Sequence, residues 1–335
     1  QQTPDSNLWY QGTADAVRQN LRYFKGERYK YYLILSGDQL YRMDYRKIMR
    51  EHLATDAELT ISTIPVEREP AESFGIMLTD DSGRIKRFDE KPSDPAVLEE
   101  LKMSPTRLEE NDLPQDSERY LASMGIYLFN RETMLEALDN EEVDFGKDII
   151  PGAIDRKRVQ SFIFQDYWED IGTIRSFYEA NLNLTDVVPD YNFFDHSAPV
   201  YTHARFMPAS KVNEAEIQNA IISDGCIITN AKINRCVVGV RSVVGSGSVI
   251  SDTVIMGADN FENESFKASE NLPHLGIGSG CEIRSAIIDK NARIGNRVRI
   301  SPDGKPENTD AENYYIRDGI VVIPKGAVIP DDTWI

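Results

Sequence analysis

CVVGVRSVVGSGSVISDTVI, residues Cys236 to Ile255, decides the architecture of the C-terminal part of this chain. Val238, Val244 and Ile250 stand six residues apart, and Val237, Val243, Val249 and Ile255 keep the same step one place earlier. Gly239 and Gly245 follow aliphatic positions. A beat of six is the hexapeptide signature of a parallel β-helix, in which each unit makes one face of a triangular coil and its aliphatic side chain fills the axis. The beat extends outward through Ile222 and Ile228 before this stretch. After it come Ile288, Ile294 and Ile300, with Gly295 behind, and then Ile323, Ile329 and Ile335. Two polar stretches, Ala258–Leu275 and Pro302–Arg317, interrupt it and are expected to loop off the coil. A β-sandwich with chance spacing is the weaker alternative.

Upstream the pattern changes to strands alternating with helices, which argues for an α/β sheet. YYLILS (Tyr31–Ser36) reads as a buried parallel strand. Ala14, Val17, Leu21 and Phe24 recur at helical spacing behind Thr13 as a cap, and Asp44 caps a helix carrying Ile48, Met49 and Leu53. ELTISTIPV is β-rich, and FGIMLTDDSGRIKRF reads as a hairpin turned on DDSG. LASMGIYLFN is a buried strand followed by a helix through Leu138, VQSFIF a further strand, and Thr173–Leu184 a helix. Ser93–Arg119 holds eight acids, three bases and three prolines and reads as a solvated surface insertion. The expected division is 1–185 for the α/β domain, 186–209 for a linker and 210–335 for the β-helix. The linker (VVPDYNFFDHSAPVY) carries aromatics that are expected to pack on something rather than lie free in solvent.

The 335 residues carry 55 acids against 37 bases, a formal net charge of −18. So acidic a surface repels nucleic acid and anionic membranes, so neither is an expected partner. It also requires local cations or a metal wherever an anionic substrate is held. The longest apolar stretch is far too short to span a bilayer. Cys226, Cys236 and Cys281 form no C-x-x-C, which suggests neither a zinc site nor a disulfide framework and fits a reducing cytoplasm.

Two aspartates stand out. Asp38 follows the YYLILS strand in LSGDQLY, where open α/β sheets bind ligands, and Gly37 leaves room for one. Asp170 sits in YWEDIGT just before a helix. Two such carboxylates suit Mg²⁺, which takes one or two carboxylates plus substrate phosphates; taken alone, Asp38 is as readily a helix or turn cap. Glu90-Lys91-Pro92 ends a strand, with the proline aiming the side chains before it, though a Lys beside a Glu is usually a solvated pair. Trp9-Tyr10-Gln11-Gly12-Thr13 precedes a helix whose N-terminus could face an anion. Cys281–Lys305 holds six bases against three acids, equally a mixed strand surface or an anion site.

WYQGTADAV, LSGDQLYRMDY, FGIM, FDEKP, ASMGIYLF, YWEDIGT and IIDKNARIG occur in this order. Together they resemble the ADP-glucose pyrophosphorylases, over nearly the whole chain. The resemblance implies a Rossmann-like nucleotidyltransferase domain, here N-terminally incomplete, followed by a left-handed parallel β-helix. It implies transfer of an adenylyl group from ATP to glucose 1-phosphate, giving ADP-glucose and pyrophosphate for glycogen or starch synthesis. Asp38 and Asp170 match the carboxylates that hold Mg²⁺, and Lys91 the lysine that binds the sugar phosphate. Glu90, Ser123, Tyr127 and Gly75 match positions around the glucose. Tyr10 and Gln11, with Gly12 beside them, match the segment next to the nucleotide and sugar phosphate, and Trp168 an aromatic next to the second carboxylate. Arg205, Lys290, Arg293 and Lys325 match bases that bind anionic allosteric effectors. A homotetramer or heterotetramer is implied, in the cytoplasm or, in a plant, the plastid.

One departure matters. The family opens with a strand and a glycine-rich loop that cradles the triphosphate, and no such segment is present. The chain, starting at Gln1, is therefore expected to be inactive alone, though able to assemble. Three rivals remain: a nucleotidyltransferase for another base or sugar, a non-catalytic regulatory subunit, and a hexapeptide acyltransferase. The last would want a catalytic histidine, for which His274 is the sole candidate.

Overall fold

The computed structural model describes residues 9–24, 26, 28–262 and 272–335. From the N-terminus the elements are α1 (Thr13–Gln19), β1 (Tyr31–Ile34), β2 (Gln39–Tyr41), α2 (Tyr45–Ala54), β3 (Leu59–Val66), α3 (Arg68–Ala71), β4 (Gly75–Thr79) and β5 (Ile85–Glu90). There follow α4 (Pro95–Glu100), α5 (Pro105–Glu110), β6 (Tyr120–Asn130), α6 (Arg131–Ala137), α7 (Ile150–Ile154), β7 (Val159–Ile163), β8 (Trp168–Asp170) and α8 (Ile174–Asn183). The chain divides into two compact units, Gln1–Gly37 with Arg42–Asp166, and Asp38–Tyr41 with Tyr167–Ile335.

The first unit is built on a mixed sheet in the order β5-β4-β6-β3-β7, with β1 also on β6. Only β3 and β7 run parallel; the β3–β6, β4–β6, β4–β5 and β1–β6 pairs are antiparallel. YYLILS is thus corrected in two respects. β1 pairs antiparallel with β6, and its residues are half-buried, because β6 is its one ladder partner among the described residues. The long strand β6 is the buried one, with Tyr120, Met124, Ile126 and Phe129 sealed from solvent. DDSG turns the β4–β5 hairpin as expected, with Gly83 at φ +79, a conformation that favours glycine.

Two caps differ in outcome. Asp44 accepts the Arg46 N–H and starts α2. Thr13 is not the cap of α1 but its first residue. Gly12 precedes the helix, and the Thr13 hydroxyl accepts instead from Phe145 N (3.0 Å). Ser93–Arg119 is not merely solvated. Asp94 and Ser104 cap α4 and α5 ahead of Pro95 and Pro105, and Leu98, Leu101 and Leu108 are buried.

The coil in the second unit is made of β9 (Lys211–Asn213), β10 (Glu216–Ile222), β11 (Ile227–Thr229), β12 (Lys232–Val238), β13 (Val243–Val244), β14 (Val249–Ile255) and β15 (Gly276–Ile277). It continues through β16 (Glu282–Ile288), β17 (Arg293–Ile294), β18 (Arg299–Ile300), β19 (Thr309–Asp310), β20 (Tyr315–Arg317), β21 (Ile320–Ile323) and β22 (Val328–Ile329). Its parallel ladders stack like on like. Ile222, Val238, Ile255, Ile288 and Ile323 align in one column, and Ile228, Val244, Ile277, Ile294 and Ile329 in a second. Ile217, Ile233, Ile250, Ile283 and Ile300 form the third. A fully buried side chain of this size contributes about 1.5–3 kcal/mol relative to exposure, so the columns carry the stability of the coil.

The second series fails at Val249, which is exposed, while Ile255 lies on the axis. Asp252 takes φ +46, and Asn219, Arg235 and Ser285 at the matching places of β10, β12 and β16 are also left-handed. This corner shortens the step from Ile250, so Ile255 rather than Met256 returns inward. Pro302–Arg317 is more than a loop: β19 and β20 form a hairpin whose β20 pairs with β21, and Ile316 is fully buried. Half of the Ala258–Leu275 stretch, residues 263–271, lies outside the described residues.

α8 groups with the coil. Its Tyr178 and Leu182 pack against Val254, Ile287 and Ile320, and the Tyr178 hydroxyl donates to Asp252 O (2.6 Å). In the linker, Tyr191 is buried and packs edge-on against Phe193 (ring centroids 5.0 Å apart). Phe194, Tyr201 and Phe206 are exposed, so only part of the aromatic content finds the packing expected of it.

Candidate active site

The carboxylate pair belongs to the second unit. β2 and β8 form an antiparallel ribbon that sets Gln39 opposite Asp170 and Tyr41 opposite Trp168. Ile171 N donates to Asp38 O (3.0 Å), which brings Asp38 and Asp170 to the same end of the ribbon. Gly172 then leaves the space between them open. A β-carbon there would lie 3.0 Å from Asp170 Oδ1 and 3.4 Å from Asp38 Oδ2. Asp170 Oδ1 already accepts from Gly172 N (2.9 Å), which orients it. Two carboxylates facing a gap suit Mg²⁺, whose remaining positions go to water and phosphate oxygens. Among the described residues no group of three or more His, Cys, Asp or Glu suggests a different kind of metal site. Trp168 is buried beside the pair, its Nε1–H donating to Gln39 Oε1 (3.2 Å).

A second group lies within the first unit. A bulge in β6 is the device: between Ile61 and Thr63 of β3 the partner strand runs from Tyr127 to Ser123, with Gly125 at φ +66. Tyr127 and Ser123 are thereby set opposite Ile61 and Thr63, two residues apart on β3, and Ser123 Oγ accepts from Gly125 N (3.3 Å). Burial, offset in part by Ser123, pushes the Tyr127 hydroxyl up to about 12. Opposite, β4 and β5 pair Gly75 with Glu90. A β-carbon on Gly75 would sit 2.3 Å from the Phe88 ring and 2.9 Å from Glu90 Oε2, so any larger residue there would have to displace both side chains. The desolvation around Glu90 raises its carboxyl above the ordinary range, Lys91 lowers it and Asp144 raises it again.

Lys91 has φ +49, a conformation side chains rarely adopt, held by its N–H to Phe74 O (3.0 Å) ahead of buried Pro92. The lysine side chain is exposed. Sequence reading missed Asp144, Gly146 and Lys147. Asp144 accepts from Gly146 N and Lys147 N and so starts a π-turn, and a β-carbon on Gly146 would lie 3.2 Å from Glu90 Oε2. An Asp two residues before a Gly in DFGKD was the available signal.

The Trp9–Thr13 segment does not offer a free helix N-terminus. The N–H groups of Ala14 (2.9 Å) and Asp15 (3.2 Å) both donate to Val143 O, and Gln11 N donates to Asp15 Oδ2 (2.9 Å). The approach is so close that a β-carbon on Gly12 would meet Val143 O at 2.3 Å. The Tyr10 hydroxyl accepts from Asn20 Nδ2 (3.0 Å).

On the coil, Lys290 Nζ (3.1 Å) and Lys325 Nζ (3.4 Å) converge on Asp259, while Arg293 binds Glu262 through both terminal nitrogens. Arg205 is exposed and pairs with no acid among the described residues. The remaining bases of Cys281–Lys305 are engaged too: Arg284 with Asp303, Arg297 with Asp332, Arg299 with Glu282, and Lys305 with Ser301 O. His274 Nδ1 lies 3.7 Å from the Glu262 carboxylate.

Residues 1–187 match the family model described as nucleotidyl transferase, and residues 205–334 match that of the GLGC left-handed parallel beta-helix domain. A curated relative, the chloroplastic/amyloplastic glucose-1-phosphate adenylyltransferase small subunit of Triticum aestivum, is 44% identical over 343 residues, covering 99% of this chain and 72% of the relative. A Gly-spaced carboxylate pair, a strained lysine at a strand end and a hexapeptide coil thus sit on a chain that belongs to the glucose-1-phosphate adenylyltransferase family of nucleotidyl transferases.

Proposed function

We propose that the enzyme carrying this sequence transfers the adenylyl group of ATP to glucose 1-phosphate, giving ADP-glucose and pyrophosphate. The observation that carries this reading is the convergence of Asp38 and Asp170 over Gly172 in a member of this family. An oxygen of the sugar phosphate attacks the α-phosphorus of ATP, the bond from that phosphorus to the bridging oxygen breaks, and pyrophosphate leaves with the electron pair. No covalent enzyme intermediate is needed, so catalysis is positioning and charge neutralisation.

Asp38 and Asp170 would hold Mg²⁺, which when bound neutralises phosphate charge and orients the phosphate oxygens. Lys91 supplies a cation for the sugar phosphate. Glu90, Ser123 and Tyr127, with Gly75 leaving room, face the glucose hydroxyls. Tyr10, Gln11 and Gly12 border the nucleotide and sugar phosphate, and Trp168 backs the second carboxylate. Lys290, Lys325, Arg293 and Arg205 form the basic surface for anionic effectors. The enzyme works as a tetramer on soluble substrates, in the cytoplasm or a plastid; no helix among the described residues is long and apolar enough to cross a membrane.

The test is pyrophosphate release by the enzyme that carries this sequence, with ATP, GTP, UTP and dTTP each offered beside glucose 1-phosphate and excess Mg²⁺. ATP should give the highest kcat/KM. A preference for another nucleotide would replace the adenylyl reading with that of a related sugar nucleotidyltransferase.

A further inference from the structure

The basic cluster on the coil is not vacant. Lys290 Nζ, Lys325 Nζ and Asn291 Nδ2 lie 3.1, 3.4 and 2.9 Å from the oxygens of one carboxylate, Asp259. The same aspartate is anchored through its backbone, its N–H donating to Asn291 Oδ1 (2.8 Å). Two ammonium groups and an amide N–H around one anionic group are the donor set a phosphate would want. We infer that Asp259 is a built-in occupant of this anion site, holding the place of a phosphate or sulfate ligand that must displace it to bind. The inference rests on the effector reading of Lys290 and Lys325 given above.

Three observations support displacement rather than a permanent bond. The Asp259 side chain is 41% exposed and that of Lys325 62%, and exposed pairs of this kind contribute little to stability. Two cations face one carboxylate, so the cluster keeps a surplus positive charge that a dianion satisfies better. The neighbouring pair is built differently. Arg293 and Glu262 are only 12% and 16% exposed, Arg293 also donates to Pro273 O (2.8 Å), and Leu275 N donates to Glu262. That pair is enclosed and tied to backbone groups beside it, while the Asp259 cluster is open to solvent and exchangeable. The Asn291 hydrogen bond and then Lys290 hold the Asp259 carboxyl down to about 2, so it stays ionised at any working pH and competition rather than protonation empties the site. A site that is free for only a fraction of the time has its affinity for the ligand reduced by that fraction.

The experiment is calorimetric titration of the protein with inorganic phosphate. Asp259→Asn should tighten binding by about fivefold or more. Asp332→Asn is the control, because it also removes one negative charge from the coil surface and breaks one exposed ion pair, that with Arg297; it should change binding by less than about twofold. Adding Lys290→Ala and Lys325→Ala to Asp259→Asn should abolish the gain. Equal tightening by Asp332→Asn would reduce the effect to general charge and overturn the inference. Unchanged binding in Asp259→Asn, with weakened binding in the lysine variants, would overturn it while leaving the anion site standing. Lysine variants that bind phosphate like the parent would remove the anion site itself.

Discussion

Asp38 Oδ2 and Asp170 Oδ1 both lie within 3.4 Å of the point where a β-carbon on Gly172 would sit. The antiparallel β2–β8 ribbon enforces this: Gln39 faces Asp170, and the carbonyl of Asp38 is held by the amide of Ile171. Two residues distant in sequence become neighbours because two three-residue strands pair, and Gly172 keeps their side chains from being walled apart.

Lys91 is expected to act on one substrate. Lys91→Ala keeps a β-carbon at the same strained φ of +49, so folding stability should change little. KM for glucose 1-phosphate should rise far more than KM for ATP, which steady-state kinetics with each substrate varied in turn will read. Equal effects on both would mean that the lysine does not single out the sugar phosphate.

Position on the coil sets the cost of a substitution. Ile294 is fully buried in its column, and Ile294→Ala should destabilise the coil by about 2–5 kcal/mol. Val249 points outward in the same coil, and Val249→Ala should cost less than about 1 kcal/mol. Urea denaturation of the two variants compares them directly, and similar losses would count against the assigned axis.

His52 gives the first unit an acid sensitivity. The ring is buried between Thr60 Oγ1 (2.7 Å at Nδ1) and Asn130 Oδ1 (3.1 Å at Nε2). Asn130 Nδ2 donates to Ala57 O, which leaves its Oδ1 to accept from Nε2–H and Nδ1 to accept from the threonine hydroxyl. Burial lowers the folded-state pKa below the ordinary 6.5, with Asn130 and Asp56 opposing it. The unfolded chain therefore takes up the proton first. The stability His52 contributes is full above about pH 6.5 and is lost as pH falls through the folded value. His52→Gln should flatten the stability profile between pH 7.5 and 5. An unaltered slope would assign the acid sensitivity to other groups.

The coil was legible because its signal is local: each aliphatic residue reports its own place on the axis, and the left-handed corner at Asp252 brings Ile255 onto the axis one residue earlier than the beat of six predicts. The residues of the candidate site were named from the sequence, but their assembly was not. No spacing in the sequence states that β2 pairs with β8, or that the bulge at Gly125 sets Tyr127 and Ser123 opposite Ile61 and Thr63. Charge counting misled twice. In Ser93–Arg119 the acids hid the caps Asp94 and Ser104 and the buried Leu98 and Leu108. In Cys281–Lys305 the surplus of bases is met by acids from other segments, among them Asp259, Glu262 and Asp332. Composition near a site does not determine its net charge once distant segments fold against it.

The most direct test of the carboxylate pair uses Gly172→Ala beside Asp38→Asn in the enzyme that carries this sequence. Gly172 does not sit in the left-handed region, so alanine is tolerated by the backbone, and its β-carbon meets only the space between the two carboxylates. Pyrophosphate release from ATP and glucose 1-phosphate, measured across a Mg²⁺ titration, reads both variants. Asp38→Asn should lower kcat by about 10² or more, the scale of losing one preorganised electrostatic group. Gly172→Ala should shift the half-saturating Mg²⁺ concentration upward with its melting temperature preserved. If both variants keep kcat within about tenfold of the parent, a barrier change of only about 1.4 kcal/mol, with the same Mg²⁺ dependence, then Asp38 and Asp170 are not the metal-holding pair.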